Sequence, residues 1–367
     1  MQSQLLRPEP LRSVAQPPAT TRLGEAGVRT PGGTPEGRPA DRPPPSAAPD
    51  PLSDLLRVVR LDGAFFYATE ATAEPWGVES VSARELTPRI LPGAEHLIAY
   101  HILTKGRCYG GLVGGEQVEL APGDVIVFPH GDAHLMSSDR VVRRLPAVNT
   151  GAPARYPDTV LIGDQGPRVT SFVCGFLGCD RRPFNPLLAA LPRLMHVRSM
   201  VDGWHGGIIR QLTDESRLGR PGADCVLTRL AELMFIEVLR RYLEALPPGQ
   251  TGWLAGLRDE VVGRALSLLH ARPAYHWTLE SLAREVASSR SNLAKRFGDT
   301  VGQPPMQYLG KWRIQVAANL LVQSGAKVAS IGSEVGYDSE AAFSRAFKRS
   351  TGLAPGAWRE ARRTARS

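Results

Sequence analysis

The chain has 367 residues, 42% hydrophobic and 22% charged, with a formal net charge of +8, enough material for at least two buried cores in a multidomain protein. No apolar run approaches the roughly 18 residues a bilayer span needs, and the first residues lack a basic start, apolar core and cleavage site, which argues against a membrane and for the cytoplasm. Four cysteines in so long a chain argue against a disulfide framework. Residues 1–51 carry 12 of the 31 prolines and few aromatic or β-branched residues. Such a segment cannot bury enough apolar area to offset its ordering entropy and is expected to be a disordered tail.

From residue 52 to 183 the pattern changes to short β-type runs broken by glycine. His96 to Thr104, Tyr109 to Val113, Gln117 to Leu120 and Asp124 to Phe128 read as strands, and their spacing suggests a sandwich or barrel. Gly123 to His134 spaces a glycine, a proline at 129, a glycine at 131 and a closing histidine. That run resembles the second motif of the cupins and implies a β-barrel. Metal-binding cupins add an HxH pair and a glutamate from a first motif. Here His96 and His101 stand five apart, so they point to opposite faces of one strand, and no HxH exists. His101 and His134 are the histidines expected to face the lumen. No metal or other cofactor is expected, and the domain reads as an effector pocket or sensor shell.

Cys108, Cys174 and Cys179 have Arg107, Arg181 and Arg182 as sequence neighbours. Cations beside a thiol lower its pKa, so an oxidant-responsive set is one reading. Ordinary buried cysteines are the other. Residues 184–246 read as helices: Asn185 to Val197, Trp204 to Leu218 and Asp224 to Leu246. In the last, Val226, Leu227, Leu230, Leu233, Met234, Val238 and Leu239 form a broad apolar stripe suited to packing on the barrel or to a dimer interface. Residues 247–252, Pro-Pro-Gly-Gln-Thr-Gly, read as a linker.

Residues 253–367 carry one pattern twice. Leu279, Leu282, Ala283 and Val286 precede Leu293 and Phe297; Val328, Ile331, Gly332 and Val335 precede Phe343 and Phe347. Each copy closes with a glycine, a proline and an aromatic residue at matched spacing: Gly302, Pro305 and Tyr308, then Gly352, Pro355 and Trp358. These read as two helix-turn-helix units. With Leu293 and Phe297 inward, Ser291 and Lys295 face outward, flanked by Asn292 and Ala294; with Phe343 and Phe347 inward, Ala341 and Arg345 face outward, flanked by Glu340 and Ser344. In such a motif the second helix enters the major groove, which makes Lys295 and Arg345 the leading base contacts. From Gly252 onward 17 Lys and Arg face nine Asp and Glu, a surplus equal to the net charge of the whole chain. A segregated basic domain suits phosphate.

Residues Lys327 to Pro355 follow the signature of the AraC/XylS transcription regulators, and residues 259 to 363 resemble their DNA-binding domain. The first copy is looser, since its turn reads Val286-Ala287-Ser288 where the second has Val335-Gly336-Tyr337. The resemblance implies two helix-turn-helix units joined by a long helix, about Pro305 to Ser324, on which Lys311 and Arg313 could reach phosphates. It also implies promoter DNA and RNA polymerase as partners in a bacterial cell. The fold expected is thus α+β, a cupin-like β-barrel with helices followed by an all-α double helix-turn-helix. The function expected is a non-enzymatic regulator, an activator or a repressor, working as a homodimer under a small-molecule or redox signal. Two alternatives stay open: a cupin-type metal enzyme with an appended DNA-binding domain, and a DNA-repair methyltransferase fusion. The second needs a cysteine in a PCHR-like setting, which Cys108, Cys174, Cys179 and Cys225 all lack.

Overall fold

The computed structural model describes residues 50–59, 61–73, 75–140, 159–163, 166–198, 200, 203–218, 220–247 and 249–364. The tail expected over residues 1–51 lies outside these but for its last two. There Asp50 accepts from the Leu52 N–H and Pro51 opens helix α1 (Pro51–Val58), whose Leu52 and Leu55 are buried. Proline suits a first helical turn, where its missing N–H costs no hydrogen bond.

The strands are β1 (Leu61–Thr72), β2 (Gly77–Ser80), β3 (His96–Lys105), β4 (Cys108–Leu112), β5 (Gln117–Leu120), β6 (Val125–Phe128), β7 (His134–Ser137), β8 (Thr159–Ile162), β9 (Arg168–Cys179) and β10 (Met195–Val197). Helix α2 (Ala83–Ile90) lies between β2 and β3, and α3 (Pro186–Ala190) between β9 and β10. A six-stranded sheet runs β10-β6-β3-β9-β1-β8 and a four-stranded sheet β2-β7-β4-β5. All pairs are antiparallel except β1 with β8. The cupin-like fold expected is present as two facing sheets, six- and four-stranded, rather than as one closed barrel.

Alternation explains why β3, β6 and β9 read as continuous apolar runs. Side chains of a strand point alternately to its two faces. Leu97, Ala99, Leu103, Ile126, Phe128, Phe172, Cys174 and Phe176 pack against the small sheet, with Cys108, Leu120 and Met136 opposite. Ile98, Tyr100, Ile102, Val125, Val127, Val173 and Leu177 pack on the other side, against helices. A sheet covered on both faces has no polar side to display.

Those helices are α1, α3, α4 (Gly203–Leu218) and α5 (Ala223–Ala245). The helix expected from Asn185 to Val197 is corrected. Asn185 caps a single short helix, and Met195–Val197 instead pair with Val127–Val125 as an edge strand. The stripe on α5 divides: Leu227, Met234, Val238 and Leu239 are buried, while Val226 and Leu233 are 39% and 38% exposed.

The last third holds α6 (Trp253–Arg258), α7 (Glu260–Ala271), α8 (Leu279–Glu285), α9 (Arg290–Val301), α10 (Pro305–Gln323), α11 (Val328–Glu334), α12 (Glu340–Thr351) and α13 (Pro355–Thr364). Two cores serve it. Leu282, Ala283, Val286, Leu293, Phe297, Tyr308 and Trp312 belong to the same cluster as the sheet and its helices. Ile314, Ala317, Ala318, Leu321, Ile331, Val335, Phe343, Phe347 and Trp358 form a cluster of their own. Helix α10 thus contributes its first half to one core and its second half to the other.

Polar contacts also cross between the sheet-rich and helical parts. Arg362 of α13 pairs with Glu95, just before β3, and with Asp180, just after β9, at 3.4 Å. Glu95 also pairs with Arg182 at 3.0 Å. The Gln315 side chain accepts from the Phe184 N–H at 2.8 Å.

Candidate functional site

The two helix pairs are built alike. Ser289 caps α9 by accepting from the Asn292 N–H, and Ser339 caps α12 by accepting from Ala342. Gly302 and Gly352 end the same helices at φ +81° and +80°, a conformation that favours glycine. Every position of α9 therefore has its counterpart fifty residues on in α12. Leu293 and Phe297 are fully buried, as are Phe343 and Phe347. Ser291, Asn292, Lys295, Glu340, Ala341 and Arg345 are exposed, and Ala294 and Ser344 are partly so. The first helices differ by volume exchange. A Cβ on Gly332 would lie 3.0 Å from the Phe343 ring, whereas the first copy has Ala283 and the smaller Leu293 at the matching positions.

The turns differ more. Gly336 takes φ +92°, and at the matching place in the first copy Ala287 adopts φ +52°, unusual for a residue with a Cβ.

Outward cations meet different surroundings. Lys295 donates to Asp299, one turn along α9, at 2.8 Å, while Arg345 makes no ion pair among the described residues. Arg290, at the first position of α9, is likewise exposed and without an ion pair among them, a candidate contact that inward-outward counting from Leu293 and Phe297 passed over. Lys311 donates to Gln303 at 2.6 Å and lies 5.8 Å from the Phe184 ring, against the sheet-rich part. Arg313 is half-buried. Its Nε donates to the Pro273 carbonyl at 2.7 Å and its Nη2 to the Tyr275 carbonyl at 2.9 Å. Burial lowers its pKa, and these two bonds brace the loop before α8 beneath the turn at Gly336. Two of its N–H donors are held by backbone carbonyls 40 and 38 residues away.

Between the sheets, His101, His134 and Cys174 come together. His101 and Cys174 are cross-strand partners on β3 and β9. His101 Nδ1 lies 2.8 Å from Cys174 Sγ, and His101 Nε2 lies 2.8 Å from His134 Nε2. His134 Nδ1 is 2.9 Å from the Asp132 carbonyl, and its ring stacks on Phe128 at 4.0 Å. A carbonyl only accepts, which assigns the protons in turn. His134 donates from Nδ1 and, being neutral, accepts at Nε2; His101 donates from Nε2 and accepts at Nδ1; the Cys174 thiol donates to that nitrogen. Burial holds His101 well below the usual histidine range and lowers His134 to about 4, so both rings are neutral near pH 7. Thr69 Oγ1 is 3.7 Å from the sulfur, and the Tyr67 hydroxyl also hydrogen-bonds it.

This arrangement does not fit the metal that some cupins hold. Cys174 and His134 lie on opposite sides of the His101 ring, so the three donors do not converge on one point. Among the described residues no group of three or more His, Cys, Asp or Glu is placed to hold a metal ion.

The cysteines differ from expectation as well. Burial dominates their environment and pushes Cys108 and Cys174 up to about 12, and Cys179 higher. Arg107 points instead to Glu119 at 3.3 Å and Arg182 to Glu95, while Arg181 lowers Cys179 by less than burial and the carboxylates of Asp180 and Glu95 raise it. Cys174 and Cys179, five residues apart on β9, face opposite sides of the sheet and are not a thiol pair.

A sheet-rich module with an enclosed polar cluster, joined to duplicated helix-turn-helix units whose outer rows are polar and basic, defines a class of DNA-binding regulators. Residues 50–244 match the family model described as Cupin, and residues 282–361 match one described as Helix-turn-helix domain. An AraC-like transcription regulator of Streptomyces lividans is 36% identical over 85% of this chain and 98% of its own length. A second one, of Streptomyces antibioticus, is 36% identical over 73% of this chain and 88% of its own. The HTH-type transcriptional regulator AlkR of Acinetobacter baylyi is 29% identical over 73% and 89%. The chain belongs to the AraC-like, DNA-binding transcription regulators. No described helix is long and apolar enough to cross a membrane.

Proposed function

We propose that both helix-turn-helix units bind the same stretch of promoter DNA, with α9 and α12 seated in neighbouring major-groove segments. The observation that carries this reading is the fifty-residue correspondence of caps, buried anchors and outward rows between the two helices. Lys295 and Arg345 occupy equivalent positions and serve as the base-reading cations, with Arg290 adding a third. Ser291, Asn292 and Ser344 supply shorter polar contacts, and Ala294 and Ala341 suit thymine methyls.

In the same reading the sheet-rich half receives a small-molecule or redox signal around His101, His134 and Cys174. The exposed Val226 and Leu233 on α5 support a homodimer through that face. RNA polymerase is the protein partner at the promoter.

The test is fluorescence anisotropy of the full chain with promoter fragments from its own genomic neighbourhood. Arg345→Ala is expected to cost about 1–3 kcal/mol on a cognate site and little on unrelated sequence. Equal loss on both would reassign Arg345 to backbone contact, and binding unaffected by changes on α12 would overturn the two-headed reading.

A further inference from the structure

Cys108 and Cys179 are as buried as Cys174, and neither thiol makes a hydrogen bond among the described residues. They behave as small apolar side chains. Cys174 has three polar partners: His101 Nδ1, the Thr69 hydroxyl and the Tyr67 hydroxyl. A sulfur needed only for packing has no use for them. The pattern is that of a nucleophile, a base and a third group that orients the base.

The proton assignment fixes the roles. His134 accepts the His101 Nε2–H, which keeps the His101 lone pair at Nδ1, aimed at the thiol. The Asp132 carbonyl in turn fixes the tautomer of His134. His101 is the base, and His134 is a positioning residue.

Beside the sulfur is a cavity of about 20 Å³, whose lining includes Tyr67, Thr69, His101, His134, Phe172 and Cys174. That is room for one or two water-sized groups. An unsaturated carbonyl or an aromatic reagent does not fit without displacing the sheets; a two-heavy-atom molecule does. The cluster is neutral and offers both donors and an acceptor, which suits a small, uncharged, polar reagent.

We propose that Cys174 is a modification site for hydrogen peroxide, oxidised to a sulfenic acid with His101 taking and returning the thiol proton. The thiol proton passes to His101 Nδ1 as the sulfur lone pair attacks one peroxide oxygen. The S–O bond forms and the O–O bond breaks. The departing hydroxide, steadied by the Thr69 and Tyr67 hydroxyls, takes the proton back from Nδ1. One thiol and one peroxide give one sulfenic acid and one water, sulfur is oxidised and peroxide reduced, and His101 ends neutral as it began. At rest the proton sits on sulfur, since burial raises the thiol to about 12, so bulky alkylating agents find neither access nor a thiolate.

The biological meaning of this site rests on reading the sheet-rich half as the receiver of a signal; the chemistry does not. The experiment treats the folded full chain with hydrogen peroxide, quenches it in denaturant with a sulfenic-acid trap and an alkylating agent, and reads each cysteine peptide by mass. Cys225 is exposed and serves as the reference thiol within the same molecule. Cys174 is expected to gain one oxygen ~10-fold faster in the unmodified chain than in a folded His101→Asn chain, each rate normalised to Cys225, at or below the low end of what a positioned base supplies. His134→Leu is expected to lower that advantage, and His134→Gln, which again offers an acceptor to the His101 N–H, to restore part of it.

No gain of oxygen at Cys174 in the unmodified chain overturns the proposal, whatever the variants do. So does a folded His101→Asn chain that reacts at the unmodified rate. DNA binding is measured on the same untreated sample: its absence would sink the proposed function and leave the Cys174 result standing.

Discussion

Exchanging the residues of the two turns tests whether they are one device built twice. Ala287 holds φ +52°, where a side chain costs about 1–2 kcal/mol. Ala287→Gly removes that strain and returns roughly 0.5–1 kcal/mol to the freedom of the unfolded chain. A net stabilisation of about 0.5–1 kcal/mol is expected. Gly336→Ala runs the other way and meets more than a dihedral penalty. Its Cβ would lie 2.8 Å from both the Cα and the carbonyl oxygen of Ala274, and 2.9 Å from Arg313 Nη2. Two of those atoms are backbone, and the third belongs to a guanidinium held by Pro273 and Tyr275, so nothing yields cheaply. A loss of at least about 2 kcal/mol is expected, concentrated in α11 and α12. Urea unfolding gives the totals, and amide exchange locates them. The reasoning fails if Gly336→Ala is neutral, or if Ala287→Gly destabilises.

Asp299→Ala frees Lys295 from its 2.8 Å partner and removes a negative charge from the helix proposed to enter the groove; tighter binding is expected, with a salt dependence steeper by about one ion, read by anisotropy across a salt series. Arg362→Met leaves Glu95 and Asp180 without the cation they share, and a loss of about 1–3 kcal/mol is expected by urea titration, with a double-mutant cycle against Glu95→Gln giving the coupling. Burial lowers His134 to about 4 and His270 to about 3, both below the 6.5 of an unfolded histidine. The unfolded chain takes up protons first, so the stability from these neutral rings is complete above pH 6.5 and falls away as pH drops toward 4 and then 3. His134 alone accounts for a loss on the order of 3 kcal/mol in that window, and His134→Gln should flatten the upper part of the profile.

What could be read in advance was local. Strands expected at His96 to Thr104, Gln117 to Leu120 and Asp124 to Phe128 fall within a residue or so of β3, β5 and β6, because glycines and turn residues punctuate short β-type runs. The helix-turn-helix anchors were legible because a 3.6-residue period repeated at fixed offset leaves few alternatives. Features set by chain-distant partners were not. β1 and β9, the longest strands, carry no turn signal that marks their register, and the His101–Cys174 contact follows from that register. The two hydrogen bonds of Arg313 go to carbonyls in the loop before α8, about forty residues away. The helix expected through Val197 failed because β6 needed an edge partner.

One core runs from the large sheet through α1 and α5 into α7, α8 and α9, whereas α11, α12 and α13 close around the second half of α10. The Pro-Pro-Gly stretch at residues 247–249 is thus a seam in the covalent chain but not in the packing. Scission there would strip apolar cover from Trp253, Leu266 and Leu269 on one side and from Leu55 and Leu188 on the other, so an excised reading module would carry raw surface beside its first head. The second head, folded about its own interior, has the makings of the more portable of the two.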